Sequence, residues 1–366
     1  MKKIVFGITG LTLGGAQRVL VDIVNALSNT YDITILTLYG GGAFEKEVSK
    51  KVHIKNIYSQ AREKMSKVQK IKVSLSLLCP FTRKKIYKKW IQGQFDVEVA
   101  FLEGPMTWLF SCVSNAHKIV WVHNDIGVVF GDGTKSKLKK QINEKAYRQY
   151  QDIVFVSQDN LEKFNQVYPD NTSRKHVIYN YINADTVLKK AQQGTAREMK
   201  TDLPSFVQVS RLTDQKAVSR LIDVHKKLIA ENKLHRIYIV GDGPLRESLE
   251  TKIKELHLED TFILLGARNN PYPYIKKADY FLLASYYEGY PMVLLEAKVL
   301  QKPILITDTA AREVLINYDQ SLIVTNDKAG IYEGIKEFLI MSKKRGRKNK
   351  FSNVEILDEI RELLGE

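Results

Sequence analysis

Cysteine is nearly absent from this chain: among 366 residues only Cys79 and Cys112 occur, far apart and in no metal-ligand spacing. A disulfide framework and a structural zinc site are therefore not expected, and a reducing cytoplasm suits the composition. Long apolar runs are also lacking. Nothing approaches the ~20 apolar residues that cross a bilayer, and the opening run Ile4 to Leu13 is interrupted by Gly7, Thr9, Gly10 and Thr12 with no small-residue cleavage site after it. An integral membrane protein is not expected, leaving a cytoplasmic protein that is either free or peripheral on the inner face of the cell membrane. No Asp-x-Asp triplet is present, and Asp96-Val97-Glu98 opens a predicted buried strand, so no metal site and no bound cofactor are expected. Internal repeats and low-complexity tracts are missing too.

What the chain does have is enough length and apolar content, 44%, for two cores. Short β-branched runs alternate with helical patterns at Lys3 to Ile8, Ile33 to Leu38, Val52 to Ile57, Val97 to Leu102, Ile119 to Val122, Ile153 to Val156 and Val177 to Tyr179. A second series runs Phe206 to Val209, Ile237 to Val240, Phe262 to Leu265, Tyr280 to Leu283, Ile304 to Thr307 and Leu322 to Val324. Continuous rather than alternating apolarity indicates parallel sheets covered on both faces, and the fold class is α/β with two doubly wound, Rossmann-like domains. The polar stretch Asn183 to Thr201 reads as the linker, giving domains at 1–187 and 188–350; a basic tail, Lys343 to Lys350, precedes an amphipathic helix within 353–366.

The net charge of +15 is unevenly spread. Between Arg62 and Trp90, ten cations are opposed only by Glu63, and Val73, Leu75, Leu77, Leu78 and Phe81 lie among them. That pattern suits an anionic membrane surface. It equally suits a solvated face over a packed helix.

The chemistry concentrates after the run Tyr280 to Leu283, in Ser285-Tyr-Tyr-Glu-Gly-Tyr-Pro-Met-Val-Leu-Leu-Glu296. Pro291 suits the first turn of a helix, so Gly289, Tyr290, Pro291, Met292 and Val293 present a helix N-terminus with unpaired amides, an anion site. Continued as helix, the spacing from Glu288 to Glu296 turns through about 800°, which puts the two carboxylates within a quarter turn of one direction, two turns apart. Cations follow the strand Phe206 to Val209 at Arg211 and Lys216, suited to a diphosphate that gains charge. Glycines follow other strands, at Gly14 and Gly15, at Gly241 and Gly243, and at Gly266 with Arg268 beyond it; His123 closes the run Ile119 to Val122.

Glu288-x7-Glu296, Arg211-Leu212 with Lys216, Gly241-Asp-Gly243 and the Gly14-Gly15 loop together resemble the retaining nucleotide-sugar glycosyltransferases of glycosyltransferase family 4, over nearly the whole chain. The resemblance implies the GT-B fold, two such domains facing a central cleft with the C-terminal helix packed back on the first. It implies metal-independent transfer with retention of configuration, from a nucleotide-sugar donor, a UDP-sugar, to a glycan or lipid-linked acceptor such as those of capsule or exopolysaccharide assembly. On that pattern Arg211 and Lys216 hold the diphosphate, Glu288 the donor hydroxyls, Glu296 the ribose diol and His123 the donor sugar, while main chain near Arg268 reads the base. The chain departs from the family at Ala217, where Gly is usual after the Lys, and at Tyr181, where an Asn-Gly-Val segment is usual. Two other readings remain. A sugar-nucleotide epimerase shares the fold and would release free sugar. A nucleic-acid-binding protein has the basic charge for support, but no nucleic-acid motif is present and no such partner is expected.

Overall fold

A computed structural model of the protein describes residues 1–124, 126, 134–340 and 351–365, with the backbone alone for 134–138. Asp125 and the basic tail Lys343 to Lys350 lie outside the described residues. The chain divides into two compact units, Met1–Ile182 with Asn353–Glu366, and Asn183–Ser352.

The first unit runs β1 (Lys3–Ile8), α1 (Gly15–Leu27), β2 (Asp32–Tyr39), β3 (His53–Tyr58), α2 (Lys67–Leu78), α3 (Pro80–Trp90), β4 (Val97–Ala100), α4 (Pro105–Phe110), β5 (His117–Val122), α5 (Thr134–Tyr147), β6 (Asp152–Phe155), α6 (Gln158–Val167) and β7 (Arg174–Val177). All seven strands are parallel in the order β3-β2-β1-β4-β5-β6-β7, with Ile4 facing Ile33 on one side and Val97 on the other. The β-branched runs of β1, β4 and β5 are buried on both faces because helices cover both sides, as βαβ crossovers require.

The second unit runs α7 (Ala184–Gln192), β8 (Ser205–Val209), α8 (Val218–Ala230), β9 (Arg236–Val240), α9 (Arg246–Glu255), β10 (Phe262–Gly266), α10 (Tyr272–Lys277), β11 (Tyr280–Leu283), α11 (Met292–Val299), β12 (Ile304–Thr307), β13 (Ser321–Val324) and α12 (Lys328–Ile340). Its six strands are parallel in the order β10-β9-β8-β11-β12-β13. The last helix, α13 (Val354–Leu363), buries Leu357, Ile360 and Leu363, and the Lys2 ammonium donates to the carbonyls of Leu364 and Gly365.

Two elements differ from the sequence reading. The seventh strand begins at Arg174, three residues before the apolar run Val177 to Tyr179. Its polar start is held by Asp152, fully buried at the head of β6, which accepts from Arg174 Nε at 2.8 Å, His176 Nε2 at 2.7 Å and His117 Nε2 at 2.5 Å. Burial raises that carboxyl's pKa, but the three donors more than offset it and hold the group well below the usual carboxylate range. The stretch Asn183 to Thr201, read as a linker, contains α7, started by the Asn183 side chain accepting from the Thr186 amide at 2.9 Å and packed through Val187 and Ala191.

Each sheet reverses its strand order once, between β1 and β4 and between β8 and β11. In open α/β sheets the carboxyl ends of the strands at such a reversal leave a crevice, because the crossovers depart to opposite faces.

Candidate functional site

The second sheet places two loops at its reversal. The loop after β8 carries Arg211 and Lys216, and the loop after β11 carries Glu288. Lys216 Nζ lies 2.5 Å from Glu288 Oε1, with side chains only 15% and 7% exposed. So nearly buried a pair is tolerated because each charge offsets the desolvation of the other. Arg211 is exposed and has no side-chain partner among the described residues. One cation is thus anchored and another is free to close on a ligand.

Residues that the sequence reading missed hold these loops. Gln208, fully buried on β8, donates Nε2 to Ser210 Oγ and to the Lys216 carbonyl, and its Oε1 accepts from the Ala284 amide at 3.2 Å. Arg220, 5% exposed on α8, gives Nη2 to the carbonyls of Ala284 and Ser285 and to Asn326 Oδ1 at 2.6 Å, and its guanidinium lies 4.2 Å from the Tyr286 ring. Thr307 Oγ1 donates to the Ser285 carbonyl at 2.7 Å. The loops also join directly, through the Tyr286 amide to the Gln215 carbonyl and Gln215 Nε2 to the Tyr287 carbonyl, both at 2.9 Å. A Gln inside an apolar strand and an Arg on the inward face of a helix are the anomalies that could have flagged Gln208 and Arg220.

Two expectations about backbone change. Helix α11 starts at Met292 with Pro291 as its N-cap, so Glu288 stands in the loop and the helical phase argument linking it to Glu296 does not apply. The amides of Met292 and Val293 still lie in the first turn, where no intrahelical carbonyl precedes them. Glu296 is 7% exposed on α11, where the Tyr272 hydroxyl donates to Oε1 at 3.3 Å. Ala217 takes the left-handed conformation, φ 53° and ψ 30°, that the usual glycine would provide. The backbone is kept and the methyl costs roughly 1 kcal/mol there.

Gly241 and Gly243 are explained by close approach. A methyl on Gly241, at φ 148°, would lie 1.9 Å from the Ser210 carbonyl oxygen, and one on Gly243 would lie 2.5 Å from that of Leu212. The Leu212 amide donates to the Asp242 carbonyl at 3.0 Å, so these glycines seat the Arg211 loop. The Arg268 side chain is occupied, pairing with Glu198 at 3.0 Å and donating Nε to the Tyr274 hydroxyl at 2.9 Å.

In the first unit, Gly14 is the N-cap of the 13-residue α1 and both Gly14 and Gly15 are exposed beyond β1. His123 follows β5; its ring lies 4.8 Å from that of Phe101, its Nε2 is buried without a partner among the described residues, and burial pushes its pKa down to about 3. It is a neutral hydrogen-bonding group at any physiological pH. Glu103 beside it accepts from the Asn124 amide at 2.6 Å. A cavity of about 370 Å³ opens at the ends of β1 and β2, lined by Thr9, Gly10, Tyr39, Arg62, Lys70 and Leu77 among others. Glu98, fully buried, binds the Tyr87 hydroxyl and Lys118 Nζ, and among the described residues no group of three His, Cys, Asp or Glu stands together as a metal site. Among the same residues no helix is long and apolar enough to cross a membrane.

The family model for glycosyl transferases group 1 matches residues 191–352, the span that carries both site loops. Over 382 aligned residues, and all of both chains, the protein is 28% identical to the N-acetylgalactosamine-N,N'-diacetylbacillosaminyl-diphospho-undecaprenol 4-alpha-N-acetylgalactosaminyltransferase of Campylobacter jejuni. Residues 191–352 are a group 1 glycosyl transferase domain. This glycosyltransferase is also 28% identical to the UDP-Gal:alpha-D-GlcNAc-diphosphoundecaprenol alpha-1,3-galactosyltransferase of Escherichia coli, over 51% of its own length and 53% of the relative's. Anabaena HepE, solved with UDP and glucose, superposes with a TM-score of 0.76 at 17% identity, covering 100% of this chain and 99% of that one. The glycosyltransferase therefore has the GT-B fold, with parallel sheets of seven and six strands.

Proposed function

We propose that this glycosyltransferase moves a sugar from a UDP-sugar to a lipid-linked glycan, without a metal ion and with retention of anomeric configuration. The observation that carries the proposal is the Lys216–Glu288 pair held at the sheet reversal, on the same loop as Arg211, whose side chain has no partner among the described residues. As the bond from the sugar to the diphosphate breaks, the leaving oxygen gains negative charge. Lys216 and Arg211 stabilise that charge, aided by the first-turn amides of α11. Glu288 orients the donor hydroxyls and Glu296 holds the ribose diol. The acceptor hydroxyl attacks on the same sugar face, and its proton leaves with the diphosphate oxygen.

His123 enters this scheme as a neutral hydrogen-bond partner for a sugar hydroxyl, in keeping with a pKa that burial pushes down to about 3. The exposed amides at Gly14 and Gly15 are suited to a phosphate from the first domain. The acceptor class is supported by the two relatives whose names specify undecaprenyl-diphosphate-linked glycans.

A transfer assay separates this from the epimerase reading. With labelled UDP-sugars and undecaprenyl-diphosphate-linked glycans in EDTA, the label should move into the lipid-extractable product. Rapid release of free sugar, equal with and without acceptor, would contradict transfer.

A further inference from the structure

The chain between β11 and Glu288 is irregular, yet its backbone carbonyls are not left to water. Four in succession accept from side chains. Arg220 Nη2 donates to Ala284 at 2.9 Å and to Ser285 at 3.2 Å, Thr307 Oγ1 adds a second bond to Ser285, Asn326 Nδ2 donates to Tyr286 at 2.8 Å, and Gln215 Nε2 donates to Tyr287 at 2.9 Å. Arg220 also fixes Asn326, through Nη2 to Oδ1 at 2.6 Å and Nη1 to the Asn326 carbonyl at 3.2 Å, so it stands behind three of the four. Glu288 is the next residue in the chain.

Loops ordinarily run over the surface, where water satisfies such carbonyls. Here Ala284 and Ser285 are buried, and the donor beneath them is a cation, 5% exposed, with no carboxylate within ion-pair distance among the described residues. Its charge is met by carbonyl dipoles and by the Tyr286 ring, 4.2 Å away. Taking a guanidinium out of water without a carboxylate is costly, and a neutral amide such as Gln208 meets carbonyls at less cost. Packing alone does not call for this arrangement. What it delivers is a backbone of fixed geometry leading to the carboxylate that meets Lys216.

We propose that Arg220 is a positioning residue for sugar transfer, acting with Asn326 to hold residues 284–287 so that Glu288 stays within reach of Lys216 and of the donor hydroxyls. The part given to Glu288 rests on the function proposed above. The planar fork is what the place requires: it spans Ala284, Ser285 and Asn326 at once, which a lysine ammonium does not. The loop that carries Arg211 and Lys216 has ties of its own, from Gln208 to the Lys216 carbonyl and from the Leu212 amide to the Asp242 carbonyl. Nucleotide binding is therefore expected to survive a change at Arg220, while the placing of the sugar is not.

The donor for the test is whichever of UDP-glucose, UDP-galactose and their N-acetylamino counterparts titrates most tightly, with undecaprenyl-diphosphate-linked glycans as acceptors. Arg220→Lys should lower kcat about tenfold or more, since a small misplacement of a positioned group is costly in rate, and Asn326→Ala about fivefold, as for one hydrogen bond. Both should bind UDP within about threefold of native affinity, because the nucleotide loop is tied separately. A double-mutant cycle decides. Adding Arg220→Lys to Glu288→Ala should lower kcat by less than about twofold further, because the carboxylate it positions is already gone. Asn326→Ala carries the same cycle if the lysine variant does not fold. Native kcat in Arg220→Lys, or a full loss repeated in the Glu288→Ala background, would overturn the positioning role and leave the donor site standing. Loss of UDP affinity in step with kcat in both variants would indicate a general brace of the domain and also overturn it. Native kcat in Glu288→Ala would overturn the part given to Glu288 itself, and the positioning role would fall with it.

Discussion

Lys216→Ala should lower kcat by about 10²-fold or more at saturating donor, the loss that follows removal of one preorganised charge stabiliser. The effect is expected to be this large because the ammonium is fixed before substrate arrives. It is nearly buried, it lies 2.5 Å from Glu288, and its backbone carbonyl is held by Gln208. No reorganisation is then needed as the diphosphate departs. Removing it also leaves Glu288 with an uncompensated charge in a nearly buried site, which reorients the carboxylate assigned to the sugar. Lys216→Arg should recover part of the loss, limited by the larger guanidinium fork. Arg211→Ala should also lower kcat, but with more effect on donor KM, because this exposed side chain must be ordered on binding. Initial rates across donor and acceptor concentrations measure each term. A Lys216→Ala loss confined to acceptor KM would contradict a role for the ammonium in stabilising the leaving diphosphate.

Lowering the pH from 7 to 5 should cost the second domain about 4 kcal/mol of stability. His225 and His235 are fully buried and joined in a chain: Thr261 Oγ1 to His225 Nε2, His225 Nδ1 to His235 Nε2, and His235 Nδ1 to the Lys233 carbonyl, at 2.8–2.9 Å. With both rings neutral the protons run in one direction along the chain and every nitrogen is satisfied. A proton added to His235 would set its Nε2–H against the Nδ1–H of His225, and one added to His225 Nε2 would force the Thr261 hydroxyl to turn from donor to acceptor. Burial, reinforced for His225 by its neighbour, pushes the pKa of His225 down to about 2, and burial pushes that of His235 down to about 4.

In the unfolded chain both titrate near about 6.5. Below that pH the unfolded state binds the protons that the fold refuses. Stability is therefore fully present above about 6.5 and falls as pH drops, by about 1.4 kcal/mol per unit for each histidine. Depressed carboxylates such as Asp152 remain ionised in both states over most of this window. All three tryptophans, Trp90, Trp108 and Trp121, lie in the first unit, so circular dichroism and calorimetry are the suitable probes. His225→Asn should shorten the pH dependence by about half. A second-domain transition with the same midpoint at pH 7 and pH 5 would contradict the account.

Much of the fold was legible because parallel sheets advertise themselves through unbroken β-branched runs, as in β1 and β11. β7 was misplaced because its first residues are chosen for Asp152 and not for the core, a tertiary requirement that propensity cannot show. At the site, Lys216 and Glu288 were legible as residue types at strand ends, but their direct pairing was not, since 72 positions separate them. The helical phase drawn from Glu288 to Glu296 failed because it assumed helix where the chain makes a loop. Ala217 shows the reverse case: the usual glycine is gone, yet surrounding contacts still impose its left-handed backbone. Gln208 and Arg220 escaped notice because a polar residue within an apolar pattern reads as an exception until its partners are seen.

The central claim is that the loops after β8 and β11 form a donor site, and calorimetric titration tests it without knowledge of the acceptor. UDP-, GDP-, ADP- and dTDP-sugars would be titrated in EDTA into the native protein and into Glu296→Ala. Selective binding of UDP-sugar, weakened by about tenfold or more in the variant as expected for losing hydrogen bonds to a charged group, is the predicted result. Equal affinity in native and variant protein, or no binding of any nucleotide sugar, would contradict it.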